Sequence, residues 1–221
     1  MKLYTYFRSS ASFRVRIAMN LKGLKWDPEV VWLLDEEQTR PGYVRLNPQA
    51  LVPTLVDGDH RLIQSLAIIE YLDETHPQPP LLPADPAGRA RVRALAQVIA
   101  CEIHPLNNLR VLKYLKKDLA QPQSVVDQWY RHWCEEGLQA LEGLLAGGRA
   151  GRYCHGDQVS VADICLVPQI FNARRFDVDL SRYPTVLAIH ERLMQLDAFE
   201  QARPERQPEA ARAAPPPRPA G

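Results

Sequence analysis

Leu3 to Phe7 is a short aromatic-rich apolar run, broken by the polar stretch Arg8 to Ser12, after which Ala11, Val15, Ala18 and Lys22 recur at helical spacing. The run predicts a strand and the spacing predicts a helix, with Gly23 as its stop. Glu29 to Leu34 reads as a second strand, parallel to the first if the helix between them is a right-handed crossover. Val52 to Val56 and Arg61 to Gln64 flank Asp57-Gly58-Asp59, a hairpin signal, and Ser65 is a natural N-cap for a helix over Leu66 to Thr75. The first module is therefore β-α-β followed by β-β-α.

Pro77, Pro79, Pro80 and Pro83 then crowd one stretch, where missing amides and fixed dihedrals end helical structure. We place a first domain at residues 1–78 and an interdomain linker at 79–86. A helical domain is expected over 87–202, because Gly88 to Tyr114, Pro122 to Leu145, Val161 to Arg174 and Tyr183 to Gln195 carry apolar residues at three- and four-residue spacing. Ser160-Val-Ala-Asp163 fits a capping box with a folding role. Residues 203–221, rich in Pro, Ala and Arg, have little to bury and are expected to be a disordered tail.

Composition narrows the partners. Lys and Arg number 27 against 26 acidic residues, a net charge of +1 that supplies no large single-sign field for nucleic acid or an anionic membrane. No apolar run approaches the roughly 18 residues of a spanning helix, and the first residues follow a strand pattern rather than a signal peptide, so a cytoplasmic protein with a small-molecule partner is expected. Four cysteines (Cys101, Cys134, Cys154 and Cys165) form no C-x-x-C pair, which points to free thiols. Cys101/His104 and Cys154/His155 lack the second pair of ligands a tetrahedral zinc site needs, and no metal is expected.

The chemistry concentrates at the strand-to-helix junction. The first helix aims its amides and positive dipole end at Arg8-Ser9-Ser10-Ala11-Ser12, a place suited to an anion. A thiolate there would be stabilised and its pKa lowered. The junction holds no cysteine, so the sulfur has to come from a ligand. Ser9 can donate a hydrogen bond to it; Ser9, Ser10 and Ser12 are equally suited to cap the helix.

RSSASFRVRIAMNLKG, NPQALVPTL, QSLAIIEYL and SVADICLVPQ together resemble zeta-class glutathione transferases over about Met1 to Phe199. Within that class, Cys101-Glu-Ile-His104-Pro-Leu-Asn-Asn108-Leu-Arg110 is most similar to the bacterial maleylacetoacetate and maleylpyruvate isomerases. The resemblance implies a thioredoxin-like α/β domain followed by an all-α bundle, a homodimer, and glutathione as cofactor. The family's junction usually reads Ser-Ser-Cys or Ser-Gly-Thr, whereas here Ala11 follows Ser9-Ser10 and removes any role for a third-position thiol or hydroxyl.

The resemblance assigns thiol activation to Ser9, with Ser10 and Ala11 beside it, and backbone pairing with the cysteinyl part to Val52, its bond to Pro53 being cis. It assigns the γ-glutamyl carboxylate to Gln64 and Ser65, and the glycyl end to Gln38, which as a loop residue is also suited to plain solvation. The implied activity is cis–trans isomerisation of a dicarboxylic cis-enedione in aromatic-compound or tyrosine degradation: the borrowed thiolate adds, the bond rotates, and the thiolate leaves unchanged. Arg8, Arg110 and Arg175 are the candidates for the substrate carboxylates and developing charge. His104, Asn108 and Arg110 are also assigned to cofactor binding, with His104 and Asn108 sharing one helical face, although Pro105 after His104 suggests a kink or helix break and a locally satisfied polar cluster. Val98, Leu106, Val111, Leu112 and Leu115 suit core or subunit contact. The enzymatic rival is a conjugating or dehalogenating transferase using the same thiolate; a non-catalytic binding module would be expected to lose Ser9, the Gln64-Ser65 pair or the arginines.

Overall fold

The computed structural model describes residues 1–213. The described residues divide into two compact units, Met1–Leu72 with 197–213, and Asp73–Leu196.

In the first unit β1 (Lys2–Thr5) leads into α1 (Ser10–Leu21), and β2 (Asp27–Val30) pairs parallel to β1. Gly23 closes the helix at φ +63, a conformation that favours glycine. A 3-10 turn (Glu37–Thr39) and α2 (Pro41–Leu46) precede β3 (Thr54–Asp57), β4 (His60–Ile63) and α3 (Ser65–Thr75). The sheet order is β2-β1-β3-β4, with β3 antiparallel to both β1 and β4. This is the β-α-β, β-β-α module the periodicity predicts, with β2 beginning two residues earlier than expected and ending at Val30 rather than Leu34, and with α2 added. Leu3, Phe13, Ile17, Leu55, Ile68 and Leu72 are fully buried and form its core. Burying each large apolar side chain contributes on the order of 2 kcal/mol.

The second unit is helical: α4 (Pro86–Gln97), α5 (Leu109–Lys117), α6 (Gln123–Ala146), α7 (Val161–Arg175) and α8 (Pro184–Leu193). α4 packs on α7, and α6 and α7 both pack on α8. The expected capping box is present: Asp163 accepts from the Ser160 amide at 2.8 Å, the Ser160 hydroxyl at 2.7 Å and the Cys154 amide at 2.9 Å. Burial pushes its carboxyl up, and these donors pull the other way.

Two expectations are corrected. Gly88 to Tyr114 is not one continuous helix: α4 passes into a π-helical turn over Val98–Ile103, residues 104–108 form a turn where the His104-Pro105 pair suggests a break, and α5 restarts at Leu109. Proline's missing amide and ring clash stop the ladder there. Nor does a tail begin at Arg203. α9 (Asp197–Glu200) packs on α1, and 3-10 turns cover Pro204–Arg206 and Pro208–Ala213. The Arg16 Nε donates to the Ala202 carbonyl at 3.1 Å, Asn20 to the Ala198 carbonyl at 2.9 Å, and the Arg212 guanidinium lies 4.2 Å from the Trp32 ring centroid. Phe199, Ala202 and Pro204 are buried, and with the arginine contacts they hold a segment whose few apolar side chains give no periodic signal. The expectation for residues 214–221 concerns positions outside those described.

Candidate functional site

Ser9 is the N-cap of α1, at φ −71 and ψ 117, and its Oγ accepts from the Ser12 amide at 3.2 Å. Its own amide donates to the Tyr6 carbonyl at 2.9 Å, which fixes the turn between β1 and the helix. Ser9 is thus a cap and still has a proton to give: among the described residues no acceptor for its hydroxyl hydrogen is found. The first-turn amides of α1 have no intrahelical acceptor, so an anion beside Ser9 meets donors and the positive dipole end together. Ser10 is buried, Ala11 half-buried, and the buried Ser12 Oγ has no hydrogen-bond partner among the described residues. Arg8 is exposed, its guanidinium 5.0 Å from the Phe7 ring centroid.

Strand pairing brings the second element alongside. Tyr4 on β1 opposes Thr54 on β3 in antiparallel register, so the residues after Tyr4 run beside those before Thr54. Val52–Pro53 is cis, as expected, and Val52 shares a buried cluster with Tyr6, Phe7, Val31 and Tyr43. The preceding carbonyl, Leu51, is held by the Tyr43 hydroxyl at 2.6 Å and Asn47 Nδ2 at 2.8 Å. Burial pushes the Tyr43 phenol up, so it stays a donor at neutral pH.

Gln64 and Ser65 open α3. Ser65 is its first residue rather than its cap; the preceding Gln64 has φ +69, and its carbonyl accepts the Ile68 amide at 2.9 Å. A non-glycine residue at positive φ costs of order 1 kcal/mol and is found where a side chain has to be aimed. Gln64 is exposed, with Nε2 donating to Gln49 Oε1 at 2.9 Å, and the buried Ser65 Oγ accepts from Arg14 Nη1 at 3.3 Å. That last bond ties the start of α3 to α1. Gln38 lies half-buried in the 3-10 turn, and nothing in its contacts links it to Ser9. Arg14, Gln49, Tyr43 and Asn47 were not singled out from sequence. Two arginines among the apolar residues of Phe13-Arg14-Val15-Arg16-Ile17 were the available signal, because a buried charge needs designed partners.

In the second unit, His104 ends the π turn and Asn108 caps α5 at φ −66 and ψ 145, with Oδ1 accepting the Arg110 amide at 3.1 Å. The helical face expected to join His104 and Asn108 therefore does not exist. Arg110 is exposed on α5. Arg175 is exposed at the end of α7, with Nη1 donating to Asn172 at 3.3 Å and its guanidinium near the Phe171 and Phe176 rings; Phe176 stacks on Tyr130 at 3.5 Å. Val98, Leu106, Val111, Leu112 and Leu115 are half-buried, not core. Burial pushes the Cys134 thiol up to about 12 and Cys154 well above its ordinary value, so neither is a thiolate at neutral pH. Among the described residues no helix is long and apolar enough to cross a membrane, and no group of three or more His, Cys, Asp or Glu could hold a metal.

Residues 3–80 match the glutathione S-transferase N-terminal domain family and residues 126–192 the C-terminal domain family. A probable maleylacetoacetate isomerase of Vibrio cholerae is 53% identical over 94% of this chain and 97% of its own length. A bacterial maleylpyruvate isomerase described as a zeta-class glutathione S-transferase superposes with TM-score 0.93 at 48% identity, covering 95% of this chain and 99% of its own. The maleylacetoacetate isomerase of Methylobacterium extorquens AM1, solved with malonate and glutathione bound, gives TM-score 0.93 at 43% identity over 97% of this chain and 100% of its own. The chain belongs to the glutathione S-transferase family, within the zeta class and its maleylacetoacetate/maleylpyruvate isomerase branch.

Proposed function

We propose that the protein is a glutathione-dependent cis–trans isomerase of a dicarboxylic cis-enedione, maleylacetoacetate or maleylpyruvate, forming the fumaryl product. The observation that carries this is the half-exposed Ser9 hydroxyl at the amide-rich opening of α1, its proton uncommitted among the described residues, in a junction with no cysteine. A tripeptide thiol fits that cradle: a donor for sulfur at Ser9, an extended cis-Pro loop whose Val52 backbone can pair with the cysteinyl unit, and a second helix opening at Gln64-Ser65 for a carboxylate. Glutathione supplies, when bound, a thiolate that adds to the double bond, allows rotation and departs unchanged.

The chain's own residues would do the rest. Ser9 donates to the sulfur and, with the α1 amides, favours the anion over the thiol. Ser65, held by Arg14, and Gln64, steered by Gln49, receive the γ-glutamyl end. Gln38 is assigned to the glycyl end, and Ser10 and Ala11 flank the sulfur. Arg8, Arg110 and Arg175 are assigned to substrate carboxylates and developing negative charge, because a guanidinium offers a planar fork that stays charged. Asn108 caps the helix that carries Arg110 and accepts its amide, and His104, Asn108 and Arg110 are assigned as well to the cofactor. The reading includes a cytoplasmic homodimer; no residue of α5 is buried within the chain, which is consistent with a subunit contact.

An ultraviolet assay of each diketo acid, with and without glutathione, tests the activity. Isomerisation that needs glutathione but does not consume it is expected. Equal rates without the tripeptide, or stoichiometric loss of its thiol, would refute it, the latter in favour of a conjugating transferase.

A further inference from the structure

Arg16 is 1% exposed and no carboxylate hydrogen-bonds to it among the described residues. Its acceptors are the Thr5 hydroxyl at 3.2 Å and the Tyr6 carbonyl at 3.5 Å from Nη1, the Phe7 carbonyl at 3.0 Å from Nη2, and the Ala202 carbonyl at 3.1 Å from Nε. Three of the four lie in the segment that delivers the chain to Arg8 and Ser9. The Tyr6 carbonyl is shared, also accepting the Ser9 amide at 2.9 Å. A buried guanidinium costs several kcal/mol in lost hydration, and a planar fork aimed at three consecutive residues recovers that only in one backbone geometry. Burial pulls its pKa down to about 9 and Glu209 raises it, so the group keeps its charge at neutral pH.

The C-terminal segment closes the same arrangement. Ala210 packs on the cluster of Tyr6, Phe7, Val31, Tyr43 and Val52, which holds both the residue before Arg8 and the residue before Pro53. Arg212 lies over Trp32, a member of that cluster's rim, and pairs with Asp35 at 3.7 Å.

We infer that Arg16 is a positioning residue for thiol activation, and that the segment around Ala210 completes its support by clamping the junction and the cis-Pro loop from behind. This rests on the reading of Ser9 as the group that meets the sulfur. Neither Arg16 nor Ala210 is assigned a contact with glutathione or substrate, so Arg16 acts through the Tyr6–Ser9 backbone and Ala210 through that backbone and Val52.

The test uses the full chain with Arg16→Lys and, because a buried substitution can prevent folding, Ala210→Asp, which sets a charge against the cluster and leaves Arg16 intact. Two readouts are taken on folded protein: hydrogen exchange at the Ser9 amide without ligand, and the pH midpoint of the glutathione thiolate absorbance in the complex. Both variants are expected to exchange faster at Ser9 and to hold roughly three- to tenfold less thiolate at a fixed pH below the midpoint, the size of a weakened charged hydrogen bond. Unchanged Ser9 exchange and an unchanged midpoint in folded Ala210→Asp, and in Arg16→Lys where it folds, would overturn the inference. If the unaltered chain itself produces no thiolate band with glutathione, the reading of Ser9 fails; the exchange result still decides whether Arg16 and the segment set the junction backbone.

Discussion

At the scale of single residues, Ser9 performs two tasks that mutation can separate. Its Oγ accepts the Ser12 amide, a cap whose loss costs about 1 kcal/mol of stability. Its proton is assigned to the sulfur, where a hydrogen bond to a charged group is worth roughly 1.5–3 kcal/mol. Ser9→Ala should therefore lower turnover about tenfold to a hundredfold while calorimetry still detects glutathione binding, and Ser9→Thr should restore most of the rate. A stability loss with turnover intact would leave Ser9 a cap alone. Arg175 is a second such case. It sits over Phe171 and Phe176, which hold a planar guanidinium better than an ammonium. Arg175→Ala and Arg175→Lys should both raise KM for a dicarboxylic substrate, Ala by about tenfold or more, with kcat changed less. Equal KM shifts for a neutral electrophile would remove Arg175 from carboxylate recognition.

At the scale of elements, the π turn is the departure from sequence expectation, and it packs on a glycine of α6. Ahead of the break that Pro105 suggests, the expected helix gives way to the π turn at Val98–Ile103, and Ile103 from that turn is fully buried against Gly137 of α6. A Cβ built at Gly137 would overlap the Ile103 side chain. Gly137→Ala should cost roughly 1–3 kcal/mol by overpacking, exceeding the ~1 kcal/mol an alanine gains in a helix interior. Denaturant midpoints would show this; a stabilised variant would mean that the π turn yields. Legibility follows the range of the interaction. The β-α-β and hairpin signals, the capping box at Ser160 and Asp163, and the junction were readable because each is set by neighbours within a few residues. The π turn packs on a glycine 34 positions beyond Ile103. The bonds from Arg14 to Ser65 and from Gln64 to Gln49 are likewise long-range pairings, invisible until the strands set the register.

At the scale of the molecule, the C-terminal segment is the part that composition misjudged, because a few buried side chains, Phe199, Ala202 and Pro204, and a set of arginine bonds attach it without any periodic apolar pattern. Glu200, at the end of α9, organises it: Oε1 accepts from Arg206 Nη2 at 3.0 Å and Nε at 3.2 Å, and Oε2 from Arg203 Nη1 at 3.2 Å. Hydrogen bonds from Arg206 first, then Arg203, hold its carboxyl below the ordinary glutamate value. A depressed folded pKa makes the unfolded segment the better proton acceptor in acid, so the stabilisation is complete above the ordinary carboxylate range and is lost as pH falls through the lower, folded value. The amides of Arg206, Gln207 and Ala210, bonded to carbonyls within the segment, report its order. At neutral pH they should exchange more slowly in the unaltered chain than in Glu200→Gln. After correction for the intrinsic exchange rate, the two proteins should converge as Glu200 becomes protonated, since the glutamine mimics the neutral acid. A constant gap across the acid range would mean that Glu200 does not titrate with the segment, and identical protection at neutral pH would mean that the two arginines hold it without the carboxylate's charge.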